Sequence, residues 1–233
     1  MKTETVPLGY FEVESDQLVV SDPCYDLGPD TWCADILKNP KQGRWYSSVE
    51  VSDQGSWGHR VAELFACFAD LKGKSPSNYF MWEPCDFEVG VDSGQAGIFD
   101  LPMYKKDMDK LYLQVGRKEY DDRGLLGLIE MNNKLPGGEQ QNRKLKENLS
   151  LPPTLTNDWY EMCCDKTLSN QKAGTVPGGV VSSSGFGDGG YRASFAKDDT
   201  GKVIAVRIVF IDENDIEALE DEYEEYDKEE EDV

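Results

Sequence analysis

Four aspartates set in glycine- and serine-rich stretches are the residues whose type and spacing could do chemistry. Asp22 lies in Ser21-Asp22-Pro23-Cys24-Tyr25. Asp92 and Asp100 bracket the stretch Val91 to Asp100, and Asp188 sits in the run Ser182 to Tyr191. Hard divalent cations take carboxylate oxygens. These four side chains, brought together, would hold Mg²⁺ or Ca²⁺, and a cation so held would assist hydrolysis of a phosphoester. A plainer role competes at each position, because aspartate starts turns by accepting hydrogen bonds from the backbone just ahead of it. No EF-hand spacing is present. A second constellation pairs Cys24 with His59, the only histidine, as nucleophile and base. No basic cluster or helix N-terminus adjoins Cys24 to favour its thiolate, so a buried thiol and a surface imidazole is the preferred reading. The glycine run 174–190 lacks the Gly-Lys-Ser/Thr ending of a nucleotide-binding loop.

The elements that must position these loops read mainly as strands. Gly9 to Val13 and Gln17 to Val20 are expected to form a hairpin about Glu14-Ser15-Asp16. Trp32 to Lys38 has the composition of a short helix. Trp45, Ser47, Val49 and Val51 alternate with Tyr46, Ser48 and Glu50 as a strand with one dry face. Val61, Leu64, Phe65 and Phe68 fit helical spacing, yet the turn 54–58 before them favours a strand pairing back on 44–52, and strand is the reading preferred for Val61 to Ala69. Tyr79 to Trp82 and Phe87 to Val91 are further strand candidates. Tyr104, Met108, Leu111, Tyr112 and Val115 follow helical spacing, and 136–153 reads as an exposed loop. Thr156 or Asn157 is placed to cap a helix that buries Trp159, Met162 and Cys163. The firmest local expectation is a hairpin in which Tyr191–Ala196 and Val203–Ile211 flank the turn 197–201. The three aspartate loops each adjoin one of these strands, so all three could meet at one end of a sheet.

The motifs SDPCY, VDSGQAGIFD and SSSGFGDGGY, in that order, resemble an uncharacterised family of bacteriophages and bacteria related to the domain of unknown function 4241. The resemblance covers about residues 6–101 and 156–211. It implies a mostly β domain and a phage origin, and it brings no biochemical role with it.

Charge narrows the functional classes. The chain has 233 residues and a formal charge of −21. Asp212 to Val233 holds fourteen acids and a single base, Lys228, which leaves −8 for residues 1–211. A body of net acidic sign has little reason to seek a nucleic-acid backbone, whose contact needs clustered Lys and Arg to release counterions; the basic stretch around Arg143, Lys144 and Lys146 is the exception in the sequence. No apolar run reaches the roughly 20 residues of a membrane span, and the opening residues do not read as a signal peptide. Six cysteines without a C-x-x-C pair suit reduced thiols and a cytoplasmic setting.

The expected fold is therefore α+β and mostly antiparallel sheet, sandwich-like or curved. One domain spans 1–211, with a helical and loop insertion at 102–155, and 212–233 forms an acidic amphipathic helical tail. The expected function is a non-enzymatic binding or inhibitor protein, phage-encoded, acting on a host protein with a basic surface. This reading needs no cofactor. Its contacts are expected from Tyr25 and Tyr191 of the loops and Tyr223, Glu224, Glu225 and Tyr226 of the tail. The alternative is a metal-dependent phosphoester hydrolase built on Asp22, Asp92, Asp100 and Asp188.

Overall fold

A computed structural model of the chain describes residues 3–28, 34–74, 76–109, 112–114 and 154–212. Among them, six strands form an antiparallel sheet in the order β1 (Thr3–Val13), β4 (Gly43–Asp53), β5 (His59–Phe68), β13 (Val203–Val209), β12 (Gly189–Lys197), β6 (Trp82–Val91). Five more form a second antiparallel sheet in the order β10 (Ala173–Val176), β11 (Gly179–Ser183), β7 (Gln95–Asp100), β2 (Gln17–Ser21), β3 (Asp35–Lys38). Leu18 and Val20 of β2, Ile98 of β7 and Val180 of β11 pack in one buried cluster with Trp45, Val49, Leu64, Val206 and Ile208 of the larger sheet. The two sheets therefore face each other as a sandwich, in agreement with the expected sheet-dominated class.

The smaller sheet is covered on both faces, which explains why its strands read as continuous apolar runs. All six residues of β7 are buried. Val19, Phe99 and Val181 turn away from the sandwich and pack on Trp159, Met162 and Cys163 of helix α2 (Trp159–Thr167). The Phe99 ring lies over Gly97, where a Cβ would stand 2.2 Å from the ring, so only glycine fits beneath it. Trp159 then meets Phe99 edge to face at 4.9 Å between centroids.

The cap of α2 is one residue later than expected. Asp158 is the N-cap, and its carboxylate accepts from the Glu161 amide at 2.9 Å. Thr156 supports it, accepting from the Asp158 amide and donating its hydroxyl to Glu161 at 2.6 Å.

The two strongest hairpins agree with the sequence. β4 pairs with β5 and β12 with β13. Others differ. β1 and β2 are not a hairpin, because β1 pairs with β4 in one sheet and β2 with β3 and β7 in the other. The Glu14–Asp16 corner carries the chain between layers instead. Part of the expected helix at 32–38 is strand β3, whose Leu37 is drawn into the core, and residues 29–33 lie outside the described residues. Tyr79 ends the one-turn helix α1 (Pro76–Tyr79), and β6 begins at Trp82.

The helical spacing over 104–115 is not realised in its described part. Residues 104–109 are turn, bend and irregular chain, and β8 (Tyr112–Gln114) pairs with β9 (Thr154–Thr156). Tyr104 and Met108 instead pack on the outer face of the smaller sheet beside α2. The rest of the insertion, including the loop 136–153, and the tail beyond Asp212 lie outside the described residues. In β1, an outer strand, Pro7 pairs with Ser48 and Gly9 with Ser47, so Leu8 bulges from the ladder.

Candidate functional site

The three loops do meet, and Asp22 ties them together. β2 ends at Ser21, and Asp22 turns the chain by accepting from the Cys24 amide at 2.8 Å. The same carboxylate reaches the β6–β7 turn, accepting from the amides of Asp92 (3.0 Å) and Ser93 (2.8 Å) and from the Ser93 hydroxyl (2.6 Å). The third loop joins through Ser184, whose amide donates to the Gly94 carbonyl at 3.1 Å. Tyr104 closes the first loop by donating to the Tyr25 carbonyl at 2.8 Å. Burial first, then the hydrogen bond and charge of Asp22, push the Cys24 thiol up to about 12. At neutral pH this cysteine is therefore a thiol and no nucleophile. His59 stands exposed at the head of β5.

The four aspartates do not gather. β7 runs antiparallel to β2 with Gly97 opposite Ser21 and Asp100 opposite Leu18. Asp100 therefore stands at the far end of β7 from the turn holding Asp92. There its carboxylate accepts from the amides of Glu14 and Ser15, each at 3.1 Å, and from the Ser15 hydroxyl. Asp188 is exposed between Gly187 and Gly189. Among the described residues no group of three or more His, Cys, Asp or Glu side chains is placed to hold a metal ion. At Asp22 and Asp100 the competing role of turn aspartate is the one observed.

The tyrosines expected as contacts also turn inward. Tyr191 donates to the Gly187 carbonyl at 2.7 Å, lies 3.0 Å from the Ser184 carbonyl, and packs edge to face on Phe210 at 5.2 Å. Tyr25 is half-buried. Tyr223, Glu224, Glu225 and Tyr226 lie outside the described residues.

What the rim presents outward is different. Gly55–Trp57 is a single 3-10 turn that leaves Trp57 67% exposed, and the third loop leaves Phe186 53% exposed. The two rings meet edge to face at 6.1 Å, and the Arg60 guanidinium lies 6.0 Å from the Phe186 ring. Phe186 borders a cleft of about 310 Å³ whose wall includes Arg60, Lys172, Ser183 and Gly185. Arg60 is oriented by donating Nε to the Trp57 carbonyl at 3.1 Å, and Lys172 by donating Nζ to the His59 carbonyl at 2.8 Å. Gly185 holds the loop in the left-handed region, at φ 52°, against Phe210 and Ile211. Sequence reasoning did not single out Arg60 or Lys172. Arg60 lies on β5 and Lys172 in the loop before β10, and the only hint was that cations are sparse in so acidic a chain.

A second titratable site lies on the outer face of the larger sheet. Glu63 of β5 is buried, with Oε1 lacking a hydrogen-bond partner among the described residues and Oε2 3.5 Å from Arg207. Burial outweighs the Arg207 charge, and Glu50 adds to it, so the Glu63 carboxyl is pushed up to about 7. A cleft of about 250 Å³ adjoins it, lined also by Glu50, Ser52 and Ile211.

Comparison with protein-family models, with curated proteins and with solved structures finds no match to the chain.

Proposed function

We propose that this chain is a non-enzymatic binding protein that works by protein–protein contact through the rim carrying Trp57 and Phe186. The observation that carries the reading is this exposed aromatic pair with Arg60 beside it. Tryptophan and arginine are enriched among the residues that dominate binding energy at interfaces. Leu168, 44% exposed, extends the apolar area along the cleft edge. The loop carrying Phe186 is tied through Ser184 and Gly94 to the turn that Asp22 holds, so this ring is presented on a fixed frame and less ordering entropy opposes association.

The acidic stretch 212–233, with Tyr223, Glu224, Glu225 and Tyr226, supplies the charge that would steer a partner with a basic surface. The family resemblance of the three motifs adds the proposal that the chain is phage-encoded and inhibits a host protein. Among the described residues no helix is long and apolar enough to cross a membrane. The hydrolase alternative has less support, because Asp22 and Asp100 are filled by hydrogen-bond donors at opposite ends of β7.

The test is affinity capture of host proteins on the full-length chain, on the double substitution Trp57→Ser with Phe186→Ser, and on a chain ending at residue 211. The reading expects one partner retained by the native chain and lost with the two rings. Equal capture by all three chains would move the contact elsewhere.

A further inference from the structure

We infer that the cleft between Arg60 and Lys172 is an oxyanion site that takes a phosphate monoester. The charge pattern is the first ground. In a chain of net −21, some cations of the described residues meet carboxylates, as in Lys105–Asp26, Lys197–Glu83 and Arg192–Asp212, and others lie over aromatic rings, as Arg44 does over Tyr10. Arg60 and Lys172 meet none within ion-pair range among the described residues, though they share one wall. The Lys172 ammonium is held below its ordinary pKa by burial and by the Arg60 charge. Two cations kept together without a counterion leave positive charge that an anion would neutralise.

The donor set is the second ground. Arg60 and Lys172 each commit one N–H to a backbone carbonyl, which fixes their direction and leaves further donors on both. The Lys172 backbone is fixed in turn, donating to the Ser169 carbonyl at 3.0 Å and accepting from the Ser183 amide at 2.8 Å. The glycine loop adds the Ser183 hydroxyl and the amides of Gly185 and Phe186, none of which has a protein partner among the described residues. Successive amides beside a glycine at positive φ form the kind of concavity that holds anions. A phosphate monoester carries about −1.5 to −2 charges and three acceptor oxygens at neutral pH. It matches two cations and several N–H and O–H donors better than a carboxylate, which has one charge and two oxygens. The cleft volume leaves room beside the phosphoryl group for a small apolar moiety against Phe186 and Leu168.

This inference does not depend on what meets the aromatic pair, and its test uses no protein partner. Amide and Arg side-chain NMR signals of the full chain are followed during titration with inorganic phosphate, phenyl phosphate and acetate. Saturable shifts centred on Gly185, Phe186 and Gly187 are expected with both phosphates, with phenyl phosphate the tighter. Arg60→Gln and Lys172→Met should each weaken the phosphate response by roughly tenfold, the worth of about 1.4 kcal/mol. Arg60→Lys should lose less. Signals of β7 and α2 that do not move between variants show that the fold is intact. Lack of saturation by about 20 mM phosphate, an equal response to acetate, or unchanged affinity in Arg60→Gln would each overturn the assignment.

Discussion

Asp22 holds Ser93 by both of its donors, the amide at 2.8 Å and the hydroxyl at 2.6 Å, across 71 residues of sequence. With the amides of Cys24 and Asp92 on the same carboxylate, this one buried side chain fixes two loops to each other. The third is fixed to the second through Ser184 and Gly94. The rim is thus a single framework.

Removing that carboxylate strands four part-buried donors, the amides of Cys24, Asp92 and Ser93 and the Ser93 hydroxyl. Asp22→Ala is expected to lower stability by about 3–5 kcal/mol, and Asp22→Asn, which keeps one acceptor oxygen, by about 1–3 kcal/mol. Urea unfolding checks both. The Cys24 thiol, relieved of its acidic neighbour, should also alkylate faster at pH 8 in Asp22→Asn than in the native chain.

Asp100→Ala is expected to cost about 2–4 kcal/mol, because it frees the amides of Glu14 and Ser15 at the corner between the sheets. Millimolar Mg²⁺, Mn²⁺ or Ca²⁺ should leave the melting temperature of the native chain unchanged. A rise that vanished in Asp92→Ala or Asp188→Ala would restore the metal-dependent reading.

Glu63 gives stability a pH dependence of known sign. Its carboxyl moves from the ordinary 4.5 to about 7 on folding, so between these values the native chain keeps a proton that the unfolded chain has released. The favourable contribution is complete below about pH 4.5 and is lost as pH rises through about 7. The shift corresponds to the order of 3 kcal/mol. Unfolding of native and Glu63→Gln chains at pH 5 and pH 8 should show the native chain losing more stability by that order.

Trp57→Ala and Phe186→Ala separate binding from folding. Both side chains are exposed, so each change should alter stability by no more than about 0.5 kcal/mol. Each should weaken partner binding by about 2 kcal/mol or more. A large loss of stability with binding intact would reassign the pair to packing.

The sequence made some of this visible. Alternation in 45–51 and the glycine turn before Val203 mark β4 and the β12–β13 hairpin, because each pattern is local. The convergence of the three loops was also readable, since each adjoins a strand. The break between β1 and β2 was not, because the group that stabilises the corner, Asp100, lies 85 residues from Ser15. Tyr104 and Met108 kept helical spacing, yet the apolar face they serve belongs to the smaller sheet and α2. Arg60 and Lys172 carry no local pattern at all. Only the packing of β5 beside the loop before β10 makes them neighbours.

The interrupted ladder of β1 has an effect on the company the molecule keeps. A long outer strand offers its free amides and carbonyls to any other chain, which is how sheets grow into fibres. Proline at position 7 removes one of those amides, Leu8 breaks the repeat, and Glu4 and Glu12 add charge along the same strand. Self-association by strand addition is therefore discouraged on that side of the larger sheet.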